Sequence, residues 1–328
     1  MGKRRTPIDW GSYNRELVDR GSKFVRMVED YKANESSMKY ELQSMNEGKE
    51  GGQFQYANTL FVFLAAIKVS TMKGYRWLQG FSCLFLEKVP SYSQICRRIE
   101  TLPDELLERL EREPIRNAVS GQTIDIILDA TGVQINGKTV WIDEKFGVKR
   151  KRKWKKLHIV IDRQSRAILS MRVIDKNQSE GESGEFKTSL KAAKSKLPDS
   201  VKIENAFGDR GYDSVDNFDT CKEEIVKPVI RVKKNTITKL KREKDINEQL
   251  LLSGRHLERD YTYRDKCAME QINWKDYVER SGYGKRSGEE GVIGAFKRIF
   301  GESVYSKKDE SIGRECRLKA VVWNMMLG

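Results

Sequence analysis

The sequence predicts an α/β fold: a mixed sheet with flanking helices, preceded by an all-helical region. Three observations support this prediction. Short apolar stretches with the pattern of buried strands recur between Thr123 and Val232. Helical patterns separate the later stretches, which is typical of an α/β sheet. Between residues 53 and 118, the apolar residues recur at helical spacing.

The first three strands are predicted to form an antiparallel meander, because a short polar turn at residues 162–166 joins the second to the third. The five predicted strands are Thr123–Asp129, Leu157–Ile161, Ala167–Ile174, Val201–Phe207 and Val226–Val232. The last two each follow a helix. The meander makes the sheet mixed rather than fully parallel.

Changes in composition divide the chain into three predicted regions. These are an N-terminal arm and linker (1–52), a helical domain (53–118) and the α/β domain (119–328). In the helical domain, Ser91 has the character of an N-cap before a basic helix that carries Arg97 and Arg98. This pattern fits a helix-turn-helix domain that binds DNA, although most three-helix clusters do not bind DNA.

The charge of the chain indicates a polyanionic partner. Its 62 lysines and arginines outnumber 48 aspartates and glutamates, which gives a formal net charge of +14, and nucleic acid is the first candidate. Seven basic residues surround Trp154 between positions 149 and 156. We expect Lys151, Arg152, Lys153 and Trp154 to contact the DNA backbone, and a solvated loop is the alternative.

A second basic run, Lys233–Lys244, fits DNA contact and solvated surface equally well. Five scattered cysteines without a Cys-x-x-Cys pair argue against a disulfide framework or a zinc ribbon, and indicate a reduced, intracellular protein. The longest apolar run, Leu60–Ile67, is far shorter than the ~20 residues that span a bilayer. We expect no membrane segment.

Histidine chemistry is poorly supplied, because His158 and His256 are the only histidines of the sequence. A zinc site built on histidines or a Ser-His-Asp triad is therefore disfavoured. His158 lies within an apolar strand pattern. We expect it to be a core residue rather than a catalytic one.

Three acids are candidates for a metal-dependent site. Asp129 ends the first predicted strand, Asp209 follows the fourth, and Glu290 lies in the stretch Tyr283–Lys297, which we interpret as mainly helical. In open α/β sheets, sites form beyond the carboxyl ends of the strands. Oxygen ligands select Mg²⁺ or Mn²⁺, and two such ions support displacement at phosphorus.

Two rival acids lie near these candidates. Asp125 shares a strand face with the first acid, but strand ends are better placed for ligands. Helical spacing puts Arg286, Glu290 and Lys297 on one face, whereas Glu289 lies about 100° away from it. A surface ion pair is the alternative interpretation of this helix pattern.

Several short motifs follow one another in a specific order. Tyr283, Arg286, Glu290 and Lys297 fit a Tyr-x2-Arg-x3-Glu-x6-Lys spacing at every position. The other segments are Asp9–Asn14, Pro90–Arg98, Asp129–Gly132, Trp154–His158 and Gly208–Ser214. Together they resemble DDE transposases of prokaryotic insertion sequences, in the insertion-sequence-four/five superfamily and its five-like subgroup. Ala130 departs from the Ser that the family often has, at a position that is not a ligand.

The resemblance implies a ribonuclease-H-like catalytic domain. It implies that Mg²⁺ or Mn²⁺ is bound by Asp129, Asp209 and Glu290. It also implies that phosphates at the transposon end are contacted by Tyr283, Arg286 and Lys297. The implied reaction is hydrolysis that frees a 3′-hydroxyl, followed by attack of that hydroxyl on target DNA. Terminal inverted repeats and target DNA are the implied partners, with a homodimer in the transpososome.

Two other functions fit the same residues. A ribonuclease-H-like nuclease or resolvase would cut DNA without strand transfer, and the Tyr/Arg/Glu/Lys signature argues against it. A catalytically inactive DNA-binding protein is disfavoured because all three acids are present. We therefore predict a transposase that binds terminal inverted repeats and catalyses metal-dependent strand cleavage and transfer, in the cytoplasm at the nucleoid.

Overall fold

The computed structural model describes residues 35–119, 121–135, 154–174, 181–253 and 259–327, together with residues 15, 18, 22 and 29. The chain divides into two compact units, and the division falls between Leu107 and Glu108. None of the described helices is both long enough and apolar enough to cross a membrane.

The described part of the first unit is helical. The sequence predicts this from residue 53 onwards, whereas the helix Glu35–Asn46 lies within the predicted arm and linker. The helices of this unit are α1 (Glu35–Asn46), α2 (Asn58–Thr71), α3 (Tyr75–Ser82) and α4 (Tyr92–Glu100), and α5 (Asp104–Ala118) spans the division. The predicted cap at Ser91 is confirmed, because its Oγ accepts a hydrogen bond from the backbone N–H of Gln94 at 3.3 Å. Helix α2 packs against α3 and α4.

In the described chain, the second unit is built on a six-stranded sheet. The strands are β1 (Thr123–Ile135), β2 (Trp154–Asp162), β3 (Ile168–Ile174), β4 (Lys202–Gly208), β5 (Lys227–Ile230) and β6 (Ser303–Val304). Five of them follow the order β3-β2-β1-β4-β5, and β6 pairs with the far end of β1. Strands β1 to β3 are antiparallel, whereas β4 and β5 run parallel to β1. The predicted meander and mixed sheet are confirmed.

Helices connect the later strands. They are α6 (Gly181–Lys194), α7 (Val215–Glu223), α8 (Lys234–Leu252), α9 (Tyr263–Glu270), α10 (Trp274–Ser281), α11 (Gly288–Phe300) and α12 (Asp309–Met325), with 3₁₀ turns at Arg210–Tyr212 and Tyr283–Ser287. The basic run Lys233–Lys244 forms most of α8, because its many lysines favour a helix once the chain leaves β5.

Alternate residues of β1 face opposite sides of the sheet, and both sides are packed. One core contains Ile124, Ile126, Leu128, Phe186, Leu190 and Phe218. The other contains Ile127, Phe207, Val229 and Tyr277. The first core includes residues of α6 and α7, and the second includes a residue of α10. The predicted flanking helices are thereby confirmed, and they lie on both faces of the sheet.

Strand β1 is longer than predicted, so Asp129 lies in its middle rather than at its end. Pairing with β2 continues as far as Gln134. A Cβ at Gly132 would lie 3.2 Å from the indole of Trp154. The glycine therefore makes room for an aromatic side chain of the neighbouring strand and does not end β1.

The stretch from Tyr283 to Lys297 is not one continuous α-helix. A 3₁₀ turn precedes α11, so a spacing of 3.6 residues per turn does not extend from Arg286 to Glu290. Gly282 ends α10 in the left-handed conformation, with φ 67°, and the glycines that follow disfavour a regular helix. The stretch is mainly helical, as predicted, and the common face of Arg286 and Glu290 stays a prediction because the side chain of Glu290 lies outside the described residues.

Candidate active site

Asp129 and Asp209 lie in one row across two neighbouring strands. Strands β1 and β4 are parallel, and their last paired residues are Ile127 and Phe207. Each aspartate follows two residues later, and Asp209 keeps an extended backbone with φ −78° and ψ −174°. Because side chains alternate along an extended chain, both aspartates belong to the face of Ile127 and Phe207.

The carboxylate of Asp209 has a fixed orientation. Its Oδ1 accepts a hydrogen bond from the backbone N–H of Gly211 at 2.7 Å, which caps the 3₁₀ turn after β4. Both Asp209 and Asp129 are half-buried. A ligand that reaches Asp209 therefore meets a carboxylate with restricted freedom.

The corner after β4 is built around Gly208 and Tyr212. A Cβ at Gly208 would lie 3.1 Å from Cδ2 of the buried Tyr212 ring, so a larger residue would displace the ring. Asp213 is buried as well, and the guanidinium of Arg264 donates to both of its carboxylate oxygens, at 2.6 and 2.7 Å. These contacts hold the corner of the chain that carries Asp209.

Asp125, the rival of Asp129, has structural partners. Its carboxylate forms an ion pair with Arg163 and accepts a hydrogen bond from Nδ2 of Asn205 at 2.7 Å. It lies four residues nearer to the start of β1, within the part that pairs with β4. This position favours Asp129 over Asp125 as a metal ligand.

Tyr283 and Arg286 lie on the face that carries the aspartates. The ring of Tyr283 packs against the core of Ile127, Phe207, Val229 and Tyr277. The guanidinium carbon of Arg286 lies 5.9 Å from the centre of that ring, within the range of a cation–π contact. The structure thus brings two residues of the predicted signature close to the row of acids.

Helix α11 carries the remaining residues of the signature. Glu290 lies in its first turn, and the side chains of Glu289 and Glu290 are outside the described residues. Lys297 is half-buried and lines a small apolar cavity together with Thr131 of β1. Thr131 lies two residues after Asp129 and therefore on the same face of β1. Helix α11 thus packs along the strand that bears the first acid.

A buried ion pair on α12 fixes the end of α11, and sequence reasoning missed it. Nζ of Lys319 donates to the carbonyl oxygens of Phe300 and Ser303, at 3.1 and 2.8 Å. Glu315 lies 3.7 Å from that Nζ and accepts from the backbone N–H and the hydroxyl of Ser306. The signal in the sequence is a Glu and a Lys four residues apart in an otherwise apolar helix face.

His158 is a buried core residue, as its apolar strand predicts. Its Nδ1 lies 2.8 Å from Oγ of Ser189, and its ring contacts Tyr212 edge to face. Burial lowers the pKa of His158 to about 4, and the positive charges of Arg172 and Lys156 act in the same direction. The imidazole is therefore neutral at pH 7.

Trp154 lies on the face of the sheet opposite to the acids. Its indole packs over Gly132, which lies three residues after Asp129 and therefore on the other face of β1. Trp154 is 39% exposed. Lys155 forms an ion pair with Asp309 at 3.0 Å. The rest of the predicted contact set lies outside the described residues and comprises Lys151, Arg152 and Lys153.

Arg97 and Arg98 have different surroundings on α4. Arg97 is exposed. The guanidinium carbon of Arg98 lies 4.7 Å from the ring centre of Phe54 and 4.5 Å from that of Phe61, and its Nη2 donates to Oδ1 of Asn58 at 2.8 Å. Burial lowers the pKa of Arg98. Arg98 therefore fastens α4 to α2, while Arg97 faces solvent.

The carboxylates of the candidate site can be compared with the donor set that a metal ion requires. Among the described side chains, no group of three or more His, Cys, Asp and Glu residues could hold an ion. The row of Asp129 and Asp209 offers two carboxylates, and an all-oxygen donor set suits Mg²⁺ or Mn²⁺. These two residues therefore fit a hard divalent ion.

Residues 120–325 match the family described as "Transposase DDE domain". The matched range contains all strands of the sheet and helices α6 to α12. It also contains the three candidate acids, Asp129, Asp209 and Glu290.

Three solved structures have weak similarity to the chain. The first is the simian T-cell lymphotropic virus intasome in complex with PP2A regulatory subunit B56 gamma, with 15% identity over 64% of this chain and 65% of that chain, and a TM-score of 0.25. The second is the Mos1 transposase paired-end complex with left transposon end, with 9% identity, 71% and 82% coverage, and a TM-score of 0.23. The Mos1 strand transfer complex has 11% identity, 79% and 82% coverage, and a TM-score of 0.25. This chain spans less than two thirds of the first match, and these TM-scores are too low to support an inference about fold or function.

Proposed function

The chain belongs to the transposase DDE domain family, which it matches over residues 120–325, and we propose that it is an insertion-sequence transposase. We assign it to the insertion-sequence-four/five superfamily, five-like subgroup, with a ribonuclease-H-like catalytic domain. One observation carries the proposal: the parallel pairing of β1 with β4 puts Asp129 and Asp209 in one row on one face of the sheet.

Asp129, Asp209 and Glu290 are the proposed ligands of Mg²⁺ or Mn²⁺. Such ions stabilise the attacking and leaving oxygens of a displacement at phosphorus. In the first proposed step, a water oxygen bonds to phosphorus and the bond to the 3′ oxygen breaks, which frees a 3′-hydroxyl. In the second step, the oxygen of that hydroxyl bonds to a phosphorus of target DNA, the bond from this phosphorus to the target 3′ oxygen breaks, and the released 3′ oxygen takes up a proton. No covalent bond to the protein forms.

The proposed DNA contacts fall into three groups. Those near the acids are Tyr283, Arg286 and Lys297, and those of the basic run are Lys151, Arg152, Lys153 and Trp154. The third group is the helical domain (53–118), which we propose to bind the terminal inverted repeat. Along the chain, this domain lies between the arm (1–52) and the catalytic domain (119–328). The net charge of +14 supports contact with phosphates. We propose a homodimer as the active assembly, at the nucleoid in the cytoplasm.

The experiment that tests this function is metal-dependent cleavage of a duplex carrying the terminal repeat. The repeat is identified from short inverted sequences that flank the gene. We expect Mg²⁺-dependent cleavage to be abolished, with DNA affinity retained, in Asp129→Asn, Asp209→Asn and Glu290→Gln. Each substitution removes a ligand atom but no cation that contacts phosphate.

Asp125→Asn is the matched control, because Asp125 is paired with Arg163 and Asn205 rather than placed in the row. It should retain cleavage per folded molecule. Cleavage at a near wild-type rate by a variant of one of the three acids would exclude that acid as a ligand. Cleavage without strand transfer by the wild type would favour a nuclease or resolvase, and specific binding without cleavage would favour an inactive DNA-binding protein.

A further inference from the structure

Arg231 directly follows strand β5 and extends the row of the two aspartates, although it lies outside the transposase signature. Strand β5 is parallel to β4, and Phe207 pairs with Val229. Asp209 and Arg231 each come two residues later, as Asp129 does on β1. The row on this face therefore consists of Asp129 within β1, Asp209 directly after β4 and Arg231 directly after β5.

Arg231 is held by an aromatic ring. Its guanidinium carbon lies 4.6 Å from the ring centre of Trp274. Trp274 contacts Tyr283 edge to face at 5.2 Å, and Arg286 lies 5.9 Å from the ring of Tyr283. Alternating cations and rings thus connect the end of β5 to the 3₁₀ turn before α11.

The charge of Arg231 has no carboxylate partner within the described part of the chain. Its side chain is half-buried, and a charge withdrawn from water costs free energy unless an anion compensates it. A guanidinium that lies over an indole keeps N–H groups for other acceptors, in a fork that matches phosphate geometry. Among the described residues the guanidinium is therefore available to an anion, and a DNA phosphate would supply one.

We propose that Arg231 contacts a phosphate of the DNA strand beside the scissile bond, on the β5 side of the acids, and that Trp274 holds it in position. This inference rests on the proposed function and deepens it by naming a contact on the DNA substrate. The alternative role, which the test must separate, is a counter-ion for Asp209.

The test compares the wild type with Arg231→Gln, Arg231→Lys and the control Arg280→Gln, all in the full chain. Arg280 is an exposed arginine in the last turn of α10. Affinity for a pre-cleaved terminal-repeat duplex is measured between 50 and 200 mM salt, where one phosphate contact contributes about 0.9 to the slope of log affinity against log salt. Arg231→Gln should lower the magnitude of the slope by about 0.9. The ratio of wild-type to variant affinity should therefore be about 3.5-fold smaller at 200 mM salt than at 50 mM salt. Arg280→Gln should leave the slope unchanged.

Arg231→Lys preserves the charge but loses the planar guanidinium that lies over the indole. It should keep the wild-type slope and cleave more slowly, and it provides the decisive comparison where Arg231→Gln does not fold. A scan with single methylphosphonates, which are neutral, locates the contacted phosphate. One position near the scissile bond should weaken binding by the wild type and by Arg231→Lys, but not by Arg231→Gln.

Two results together would overturn the inference: Arg231→Gln keeps the wild-type salt slope, and calorimetry shows that it binds Mn²⁺ more tightly than the wild type does. Arg231 would then be a counter-ion of the acids. The absence of any sensitive phosphate near the scissile bond in the wild type would overturn it as well. Failure of the wild type to bind or cleave terminal-repeat DNA would instead refute the proposed function. Wild-type cleavage that Arg231→Gln matches in rate and slope would refute this inference alone.

Discussion

Arg97 and Arg98 are neighbours on α4, yet their replacement by alanine should affect different properties of the protein. Arg98 lies against two phenylalanine rings and donates to Asn58, whereas Arg97 is exposed. We expect Arg98→Ala to reduce the stability of the first unit and Arg97→Ala to reduce DNA affinity. The pair separates packing from binding within one helix.

The expected loss of stability follows from the contacts of Arg98. A hydrogen bond from a charged donor contributes about 1.5–3 kcal/mol, and each of the two cation–π contacts contributes about 0.5–1 kcal/mol at a partly exposed site. Desolvation of the guanidinium, which lowers the pKa of Arg98, offsets part of this sum. We expect a net loss of about 2 kcal/mol for Arg98→Ala, and at most about 0.5 kcal/mol for the exposed Arg97.

Hydrogen exchange measured on peptides of α2 and α4 tests the stability difference. Because 1.4 kcal/mol corresponds to a factor of ten, Arg98→Ala should lower protection about 30-fold. Under conditions where α4 remains folded, Arg97→Ala should lower the salt slope of terminal-repeat binding by about 0.9, and Arg98→Ala should not. Wild-type protection in Arg98→Ala would refute the reasoning, as would a reduced slope in Arg98→Ala alone.

Two further predictions concern the second unit. Lys297→Ala should lower the salt slope for a cleaved transposon end by roughly one unit with little change in melting temperature; an unchanged slope with a clear loss of stability would make Lys297 structural. The pKa of His158 is about 4, below its ordinary 6.5. Between these two pH values the unfolded chain therefore binds more protons than the folded protein. The free energy of unfolding should fall as the pH drops from 6.5 to 4, by about 2 kcal/mol at pH 5. Urea unfolding of His158→Gln should lack this component, and parallel pH curves for variant and wild type would contradict a neutral buried imidazole.

Local patterns were sufficient to predict most of the elements. Alternation along the strands and the polar turn at 162–166 predicted the meander, and Ser91 was recognised as a cap, because each depends on residues a few positions apart. The predictions were wrong where contacts between residues far apart in the sequence determine the structure. Strand β1 continues past Asp129 because β2 and β6 pair with it there, and neither pairing leaves a local mark beside Asp129.

The candidate acids were identifiable from the sequence because carboxylates beside strand patterns already imply a hard metal ion. Their arrangement was decided by tertiary structure. Asp129 and Asp209 share a row because β1 and β4 pair in one particular register, and Arg231 joins them through the register of β4 with β5. No spacing along the chain encodes these registers.

Arg97 and Arg98 show the same division at the level of single side chains. The sequence by itself determined that a capped basic helix is present and that two adjacent guanidinium groups are available on it. Only the tertiary structure decided that Phe54, Asn58 and Phe61 engage Arg98 and leave Arg97 in solvent. Residue type and spacing determine local backbone and available chemistry, whereas the partner of a charge depends on contacts between residues far apart in the chain, which are selected when the chain folds.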